Sequence, residues 1–277
     1  MNIVKRVETI LKYGGIEEYS AEAKLITLEV SNLKLEDIVL GKTANEDKII
    51  EIANLRAKTK VPLQYILGYS YFMGNKYKVN ENVLIPRDET EILVKHSYEL
   101  IKNKKEKIDV LDIGAGTGCI SIELAKRLDN VEILAVDISS DAIRTALENV
   151  NNQNVVRKVI LRKSDLYSKI RENEKFDLIV SNPPYIPKKS KNKLQIEVLK
   201  EPECALFTND ENGVEFYDRI IKDAPKYLKK GGYIAFELGQ GQAQEVYEML
   251  QKDFCDIKIT ADLADIKRVI SARLKEV

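Results

Sequence analysis

Several residue types are scarce in this 277-residue chain, and each scarcity excludes a class of protein. Tryptophan is absent, and the single histidine, His96, cannot form a metal site by itself. The three cysteines, Cys119, Cys204 and Cys255, are odd in number and far apart, so they fit neither a disulfide framework nor a zinc motif. We therefore expect no metal centre, and a surface or boundary role for His96 on a helix.

The chain also lacks an excess of either charge and lacks long apolar runs. Lys and Arg together number 44, as do Asp and Glu, whereas proteins that bind duplex nucleic acid usually carry a basic excess. No apolar run approaches the roughly 18 residues that a membrane span needs, and the N-terminus has no signal-peptide pattern. We expect a monomeric, cytoplasmic protein without membrane or direct nucleic-acid contacts.

The first part of the chain is predicted to be helical. Apolar residues recur at helical spacing after Ser20, a predicted N-cap, and again after Asn45, within residues 1 to about 60. Residues 69–79 carry aromatic and β-branched residues on both sides of Gly74-Asn75. That pattern predicts a β-hairpin.

Beyond residue 107, short apolar strands alternate with helices. This alternation predicts an α/β fold, with a mostly parallel sheet covered by helices on both faces. Ligands of such sheets bind at the carboxyl ends of the strands, where the strand order reverses. The predicted strands are 110–113, 131–137, 159–162, 176–182 and 233–239, and the predicted helices are 119–128, 141–151, 213–229 and 243–251.

A glycine-rich turn follows the first of these strands. Its glycines allow a tight turn and a close approach of the backbone to a ligand, although a turn without any ligand is the plainer alternative. The spacing Gly-x-Gly-x-Gly differs from the Gly-x-Gly-x-x-Gly of dinucleotide sites. The predicted cofactor loop consists of Gly114, Ala115, Gly116, Thr117 and Gly118.

Three aspartates stand at the ends of successive strands. Asp112 precedes the loop, where a carboxylate would repel a pyrophosphate but attract an ammonium group. Asp137 ends the second strand, where an acidic side chain can bind ribose hydroxyls, and Asp165-Leu166 follow the third, near an adenine. Each aspartate alone fits a turn or a helix cap, but together they predict a nucleoside with a cationic tail, S-adenosylmethionine.

Asn182-Pro183-Pro184-Tyr185 closes the fourth strand. If its role is purely structural, this tetrapeptide is a rigid turn. If its role is catalytic, the side-chain carbonyl of Asn182 and the backbone carbonyl of Pro183 could accept both N–H groups of a planar nitrogen, whose lone pair is otherwise delocalised. Proline fixes φ and adds no competing donor, and Tyr185 offers a flat stacking face. We predict Asn182, Pro183 and Tyr185 as catalytic residues, and the whole tetrapeptide with Pro184 as the substrate site.

With these motifs the chain resembles the glutamine methyltransferases of peptide chain release factors, the HemK-type enzymes. The likeness covers nearly the whole chain and includes segments outside the cofactor loop. These segments are Pro62-Leu-Gln-Tyr-Ile-Leu-Gly68, Phe72-Met-Gly74, Val83-Leu-Ile-Pro-Arg87, Glu89-Thr-Glu91 and Glu201-Pro-Glu-Cys-Ala-Leu206, with Gly213 and Tyr217. Asp88 and Leu166 depart from the family pattern, which usually has proline and an aromatic residue there.

The resemblance implies a Rossmann-like, class I S-adenosylmethionine methyltransferase with a seven-stranded sheet. It implies a helical domain at 1–66 that docks the release factor, a hairpin linker at 67–86 and a methyltransferase domain at 87–277. The reaction would be N5-methylation of the glutamine in a Gly-Gly-Gln loop inserted beside Asn182.

Two other functions and one local feature stay open at this point. An adenine-amine DNA or RNA base methyltransferase uses the same tetrapeptide but needs a recognition domain or a basic arm. A dinucleotide oxidoreductase, or a non-catalytic nucleotide-binding module, has the wrong glycine spacing and leaves the tetrapeptide unexplained. The basic segment 187–193 is either a solvated lid or a guide for an acidic or RNA-associated partner.

Overall fold

A computed structural model describes residues 2–40, 42 and 44–276. By their internal contacts the residues fall into two compact units. The smaller unit consists of Met1–Gly68 together with Gln195–Lys200, and the larger of Tyr69–Leu194 together with Glu201–Val277. The chain therefore leaves the larger unit once, for the six residues 195–200.

The smaller unit is helical, as the apolar spacing predicts. Val7, Leu11, Ile26 and Ile49 are fully buried in its core. Its helices are α1 (Ile3–Tyr13), α2 (Tyr19–Ser31), α3 (Leu35–Val39), α4 (Glu46–Thr59) and α5 (Leu63–Leu67).

The N-cap prediction for α2 was wrong. The cap position is Glu18, which makes no side-chain cap bond. The Ser20 hydroxyl instead donates to Glu8, 2.7 Å away, because a neighbouring helix offers it a carboxylate.

One buried arginine ties the later segment to the helices of the smaller unit. The Arg56 guanidinium donates two 2.8 Å bonds to Glu22, and a third bond of 3.0 Å reaches Glu197. Glu197 belongs to 195–200, so this charged cluster fastens that segment to α2 and α4.

The predicted hairpin is confirmed and belongs by contacts to the larger unit. Strands β1 (Tyr69–Phe72) and β2 (Asn75–Lys78) pair antiparallel around Met73-Gly74. Tyr77 is 0% exposed, and its hydroxyl donates to the carboxylate of Glu123, 2.6 Å away. The units therefore differ from the predicted segments: the hairpin groups with the sheet domain, and residues 195–200 with the helices.

A seven-stranded sheet forms the centre of the larger unit, in the order β10-β11-β9-β6-β3-β4-β5. The run β9-β6-β3-β4-β5 is parallel, and β11 pairs antiparallel with both β9 and β10. The strand order reverses between β3 and β6, which is where a ligand site is expected. The remaining strands are β3 (Ile108–Ile113), β4 (Val131–Asp137), β5 (Val159–Lys163), β6 (Phe176–Ser181), β7 (Ile186–Pro187), β8 (Phe207–Thr208), β9 (Leu228–Glu237), β10 (Phe254–Ala261) and β11 (Lys267–Leu274).

Helices cover both faces of this sheet through two separate apolar clusters. The prediction of a helix over 213–229 was too long: the α-helix ends at Asp223 and a 3-10 turn follows at Ala224–Lys226. Pro225 explains the end, because its ring cannot continue an α-helix. The helices are α6 (Thr90–Ile101), α7 (Cys119–Arg127), α8 (Ser140–Asn152), α9 (Glu203–Leu206), α10 (Glu215–Asp223) and α11 (Ala243–Leu250).

The boundary role predicted for His96 is confirmed. Its ring nitrogens lie 2.7 Å from the hydroxyl of Ser271 and 3.1 Å from that of Thr260, so both have protein partners. Burial lowers the pKa of His96. Within the described ranges, no helix has the length and apolar character that crossing a membrane requires.

Candidate active site

The glycine-rich turn between β3 and α7 depends on positive φ angles. Gly114 has φ +80°, Gly116 +53° and Gly118 +79°, a region that glycine occupies at little cost. A Cβ on Gly118 would also lie 3.3 Å from the Cβ of Ala146 on α8. The backbone N–H of Gly116 donates to Asp137 Oδ2 at 2.9 Å, which joins the loop to the end of β4.

A cavity of about 470 Å³ opens beside this loop, at the carboxyl ends of β3, β4, β5 and β6. It brings together many of the predicted site residues, although they come from four different strand ends. Those that line it are Gly114, Gly116, Asp137, Asp165, Leu166, Asn182, Pro183 and Pro184. The predicted residues outside its lining are Asp112, Ala115, Thr117, Gly118 and Tyr185.

The cavity wall includes residues that the motifs did not single out for ligand binding. Val83 and Leu84 belong to a segment that Glu201 holds: Glu201 accepts from the backbone N–H of Ile85 at 3.0 Å and pairs with Arg87. Two of the family-specific motifs therefore meet beside the cavity. Further lining residues are Asn82, Ile138, Phe207 and Phe216.

Asp112 lies beneath the glycine loop and is 0% exposed. Its Oδ2 accepts a 2.6 Å hydrogen bond from the Ser121 hydroxyl, whereas its Oδ1 is buried without a hydrogen-bond partner among the described residues. Burial, helped by the nearby charge of Asp137, raises the pKa of Asp112 to about 6. An unpaired buried carboxylate oxygen is costly, so this atom fits a donor brought by a ligand.

Asp165 and Leu166, predicted to lie near an adenine, both line the cavity, and each has a local feature that the sequence did not indicate. The Asp165 carboxylate is half exposed and accepts from Arg219 Nη2 at 3.0 Å. Arg219 also stacks its guanidinium over Phe216, 5.4 Å from the ring centre. Leu166 has φ +44°, an unusual value for leucine, and the Ser164 hydroxyl donates to its carbonyl oxygen at 2.7 Å. Nothing in the sequence near Asp165 signals its partner, which is more than fifty residues away on α10.

Asn182 stands where β6 ends, and two buried residues stand behind it. Its Nδ2 donates to the Thr90 hydroxyl at 3.2 Å, and that hydroxyl donates to Glu237 Oε2 at 2.6 Å. The other oxygen of Glu237 accepts from the Tyr185 hydroxyl at 3.3 Å. Burial raises the pKa of Glu237 to about 7, although the bonds from Thr90 and Tyr185 act in the opposite direction. Sequence reasoning gave no role to Glu237, and Thr90 entered only within a family motif.

The backbone of Tyr185 is held separately by Gln242. Gln242 Nε2 donates to the carbonyl oxygens of Tyr185 at 2.9 Å and of Gly213 at 3.1 Å. Gly213 has φ +78°, and a Cβ there would lie 2.1 Å from the Tyr185 carbonyl oxygen. Glycine at 213 therefore permits this close approach, whereas no sequence signal pointed to Gln242.

The basic segment after the tetrapeptide forms one 3-10 helix, Lys188–Lys193. Lys188 Nζ donates to Asn209 Oδ1 at 2.7 Å, and Lys191 pairs with the carboxylate of Glu203. These lysines therefore have polar partners of their own. Among the residues that the structure describes, no group of three or more His, Cys, Asp and Glu side chains is placed to hold a metal ion.

Comparison with known proteins identifies the family. The family model of the methyltransferase small domain matches residues 88–211. A release factor glutamine methyltransferase of Clostridium botulinum is 37% identical over 271 residues, which are 95% of this chain and 95% of that protein. The chain belongs to the release factor glutamine methyltransferase family.

Another member of the release factor glutamine methyltransferase family, from Fusobacterium nucleatum, is 43% identical over 234 residues. That match takes 84% of this chain but only 65% of the longer relative. Membership in this family of methyltransferases sets aside the dinucleotide oxidoreductase and the non-catalytic nucleotide-binding module.

The fold is also that of solved methyltransferases. The catalytic domain of hMettl16, in complex with MAT2A 3'UTR hairpin 6, superimposes with a TM-score of 0.60 at 18% identity. The superposition covers 82% of this chain and 83% of that one. The predicted class I methyltransferase fold, with its mostly parallel seven-stranded sheet, is confirmed.

Proposed function

We propose that this chain transfers a methyl group from S-adenosylmethionine to the side-chain amide nitrogen of a release factor glutamine. One observation carries the proposal. In a member of this family, Asn182 lies at the rim of the same cavity as Gly114, Gly116 and Asp137. An amide acceptor and a nucleoside-type site thus share one space of about 470 Å³, within the usual range for small-molecule sites.

The residues around the cavity fit S-adenosylmethionine by three features. Asp112 Oδ1 is a buried anionic atom without a protein donor, which suits an ammonium group. Asp137 lies at the end of β4 and lines the cavity, a placement that suits ribose hydroxyls. Ile138, Leu166 and Phe216 give apolar walls that suit an adenine ring.

S-adenosylmethionine supplies, when bound, a methyl group on a positively charged sulfur. The protein's own contribution is to hold an amide nitrogen in line with that methyl. Asn182 Oδ1 and the carbonyl of Pro183 would accept the two N–H bonds of the glutamine amide. Catalysis by such positioned acceptors needs no strong base to begin the reaction.

The proposal also includes the identity of the acceptor glutamine and the role of the helical unit. The acceptor glutamine would be that of a Gly-Gly-Gln loop, and the helical unit, residues 1–66 as predicted, would dock the release factor. Tyr185 lies outside the lining of the large cavity and turns its hydroxyl to Glu237. Its role is then to support the tetrapeptide as well as to flank the substrate.

The substrate class is tested by incubating the full chain with cofactor carrying a labelled methyl group. Unmodified release factor, DNA and ribosomal RNA are offered in separate reactions. We expect label on the release factor alone, lost when its Gly-Gly-Gln glutamine is replaced. Label on nucleic acid, with none on the release factor, would contradict the proposal.

The role of Asn182 is tested with Asn182→Ala. Removing one preorganised polar group at a reacting centre typically lowers kcat by roughly a hundredfold or more. We expect such a loss, with the affinity for S-adenosylhomocysteine largely kept. Asn173→Ala, at an exposed position outside the cavity, serves as the control and should match the wild type. Equal turnover in both variants would refute the mechanism.

A further inference from the structure

Three side chains from distant parts of the sequence form one hydrogen-bonded series behind the cavity. Asn182 follows β6, Thr90 is the first residue of α6, and Glu237 is the last residue of β9. Thr90 is 3% exposed and Glu237 is 2% exposed, while Asn182 alone reaches the cavity. The distances are 3.2 Å from Asn182 Nδ2 to Thr90 Oγ1 and 2.6 Å from Thr90 Oγ1 to Glu237 Oε2.

The direction of these bonds follows from the chemistry of the three groups. In its ionised form the Glu237 carboxylate can only accept, and the single hydroxyl proton of Thr90 is then committed to Glu237. The Thr90 oxygen then presents lone pairs to Asn182, and only the NH₂ end of the Asn182 amide can satisfy them. Asn182 Oδ1 is consequently turned away from Thr90, and no described residue donates a hydrogen bond to it.

We propose that Thr90 and Glu237 are positioning residues that fix which way round the Asn182 amide faces the substrate. This inference rests on the proposed function, because the amide nitrogen of a glutamine needs an acceptor at this place. A flipped Asn182 would present its NH₂ group to another NH₂ group, two donors face to face. Glu237 also accepts from the Tyr185 hydroxyl, so one carboxylate fixes both ends of the tetrapeptide.

The first test compares Thr90→Val with Thr90→Ser. Valine keeps the shape of threonine without its hydroxyl, whereas serine keeps the hydroxyl. Losing one orienting hydrogen bond should lower kcat about tenfold in Thr90→Val, while the KM for the release factor and the Kd for S-adenosylhomocysteine stay near wild type. Thr90→Ser should keep at least about half of the wild-type kcat. Undiminished kcat in Thr90→Val, or equal losses in both variants, would overturn the proposal.

Ser97→Ala provides the matched control on the same helix. Ser97 is also buried, and its hydroxyl has no hydrogen-bond partner among the described residues. Removing this hydroxyl should therefore leave kcat unchanged. If Ser97→Ala lost as much turnover as Thr90→Val, the effect would come from the packing of α6 and not from Asn182.

Glu237→Gln tests the far end of the series and guards against poor folding of the valine variant. Glutamine can offer Thr90 either its oxygen or its NH₂ group, so the direction of the bonds is no longer imposed. We expect a two- to tenfold loss of kcat at an unchanged Kd for S-adenosylhomocysteine. The double variant Thr90→Val/Glu237→Gln should lose less than the product of the single losses, because the two residues act through one path.

Two results separate this inference from the proposed function. Wild-type protein that binds S-adenosylhomocysteine but labels no release factor overturns the proposed function, and the positioning role with it. Active wild-type protein with strictly multiplicative losses in the double variant overturns only the positioning role.

Discussion

Two buried carboxylates lie at the ends of β3 and β9. They are similar in burial and in the direction of their pKa shifts but differ in their hydrogen-bond partners. Asp112 and Glu237 are 0% and 2% exposed, and burial raises the pKa of both, to about 6 and about 7. Both oxygens of Glu237 accept hydrogen bonds from side chains of the protein, whereas Asp112 has one oxygen without a hydrogen-bond partner among the described residues.

This difference separates two tasks that a buried carboxylate can perform. A buried carboxylate oxygen without a protein donor, next to the glycine loop, suits a positively charged group that a ligand brings. A carboxylate whose oxygens are both used can instead fix the orientation of its donors, here Thr90 and Tyr185. The comparison predicts that Asp112 governs cofactor affinity and that Glu237 governs turnover.

The largest effect is expected for Asp112→Asn. Losing a charge-assisted hydrogen bond to the ammonium group should weaken binding of S-adenosylhomocysteine about a hundredfold, close to 2.7 kcal/mol. Glu237→Gln should leave the same affinity within about twofold. Isothermal titration calorimetry measures both variants. Equal affinities would remove the distinction between the two carboxylates.

The pH dependence of stability offers a second comparison. Folding raises the pKa of Asp112 from its ordinary 3.8 to about 6, and that of Glu237 from its ordinary 4.5 to about 7. Their contribution to folding is therefore complete below about pH 4 and lost as pH rises through about 6 and 7, about 3 kcal/mol each.

Denaturant titrations at pH 5 and pH 8 test this dependence. Relative to wild type, Asp112→Asn and Glu237→Gln should both gain stability on going from pH 5 to pH 8. The gain should be larger for Glu237→Gln, because Glu237, with its pKa raised to about 7, stays protonated over more of this interval than Asp112, with its pKa raised to about 6. The other charges near Glu237 are those of Glu89 and Arg268, which oppose each other. A stability difference from wild type that is the same at both pH values would contradict the assignment.

Gly213→Ala should impair only the part of the site that contains Tyr185 and Glu237. Gly74 has nearly the same φ, +77° against +78°, but nothing lies within 4 Å of a Cβ there, so Gly74→Ala is a matched control. We expect a loss of unfolding free energy of about 1 kcal/mol for Gly74→Ala and about 2–3 kcal/mol for Gly213→Ala, from backbone strain with and without overlap.

Turnover is the more specific measurement for this pair. Gly213→Ala displaces the Tyr185 carbonyl and should lower kcat while the Kd for S-adenosylhomocysteine stays unchanged. Gly74→Ala should change neither. A loss of cofactor affinity in Gly213→Ala would show that the part of the site around Tyr185 and Glu237 also affects the part around Asp112.

The smallest effect is expected for Ser97→Ala. Like Asp112, Ser97 has a buried side-chain oxygen without a hydrogen-bond partner among the residues described, but Ser97 carries no charge. Removing an unpaired buried hydroxyl should raise the free energy of unfolding by about 1 kcal/mol. Thermal unfolding measures this as a higher Tm. A lower Tm would mean that the hydroxyl is satisfied in solution.

The sequence predicted the elements whose signal is local. Strand 131–137 and the start of α7 at Cys119 follow from apolar runs and from the glycine turn, and the structure has them at the same residues. The hairpin at Gly74 follows from its turn residues. The edge strands β10 and β11 were not predicted individually: the outer one, β10, alternates buried and exposed positions only weakly.

The residues of the candidate site likewise fall into those with a local sequence signal and those without one. Motif residues such as Gly116 and Asn182 were identified because their types and spacing state a chemical requirement. Thr90 and Glu237 were not assigned roles, since a threonine at a helix start and a glutamate at a strand end are common. Their meaning depends on a distance of 2.6 Å between residues 147 positions apart in the sequence.

By itself the sequence determined the class of fold and predicted the glycine loop that we propose for the cofactor and the tetrapeptide that we propose for the substrate, because periodicity and motif spacing are properties of neighbouring residues. Only the tertiary structure decided which carboxylate has an oxygen without a hydrogen-bond partner, which one is linked to Asn182 through Thr90, and that Gln242 holds the Tyr185 backbone. Hydrogen bonds act over about 3 Å, and folding alone brings such distant donors and acceptors that close.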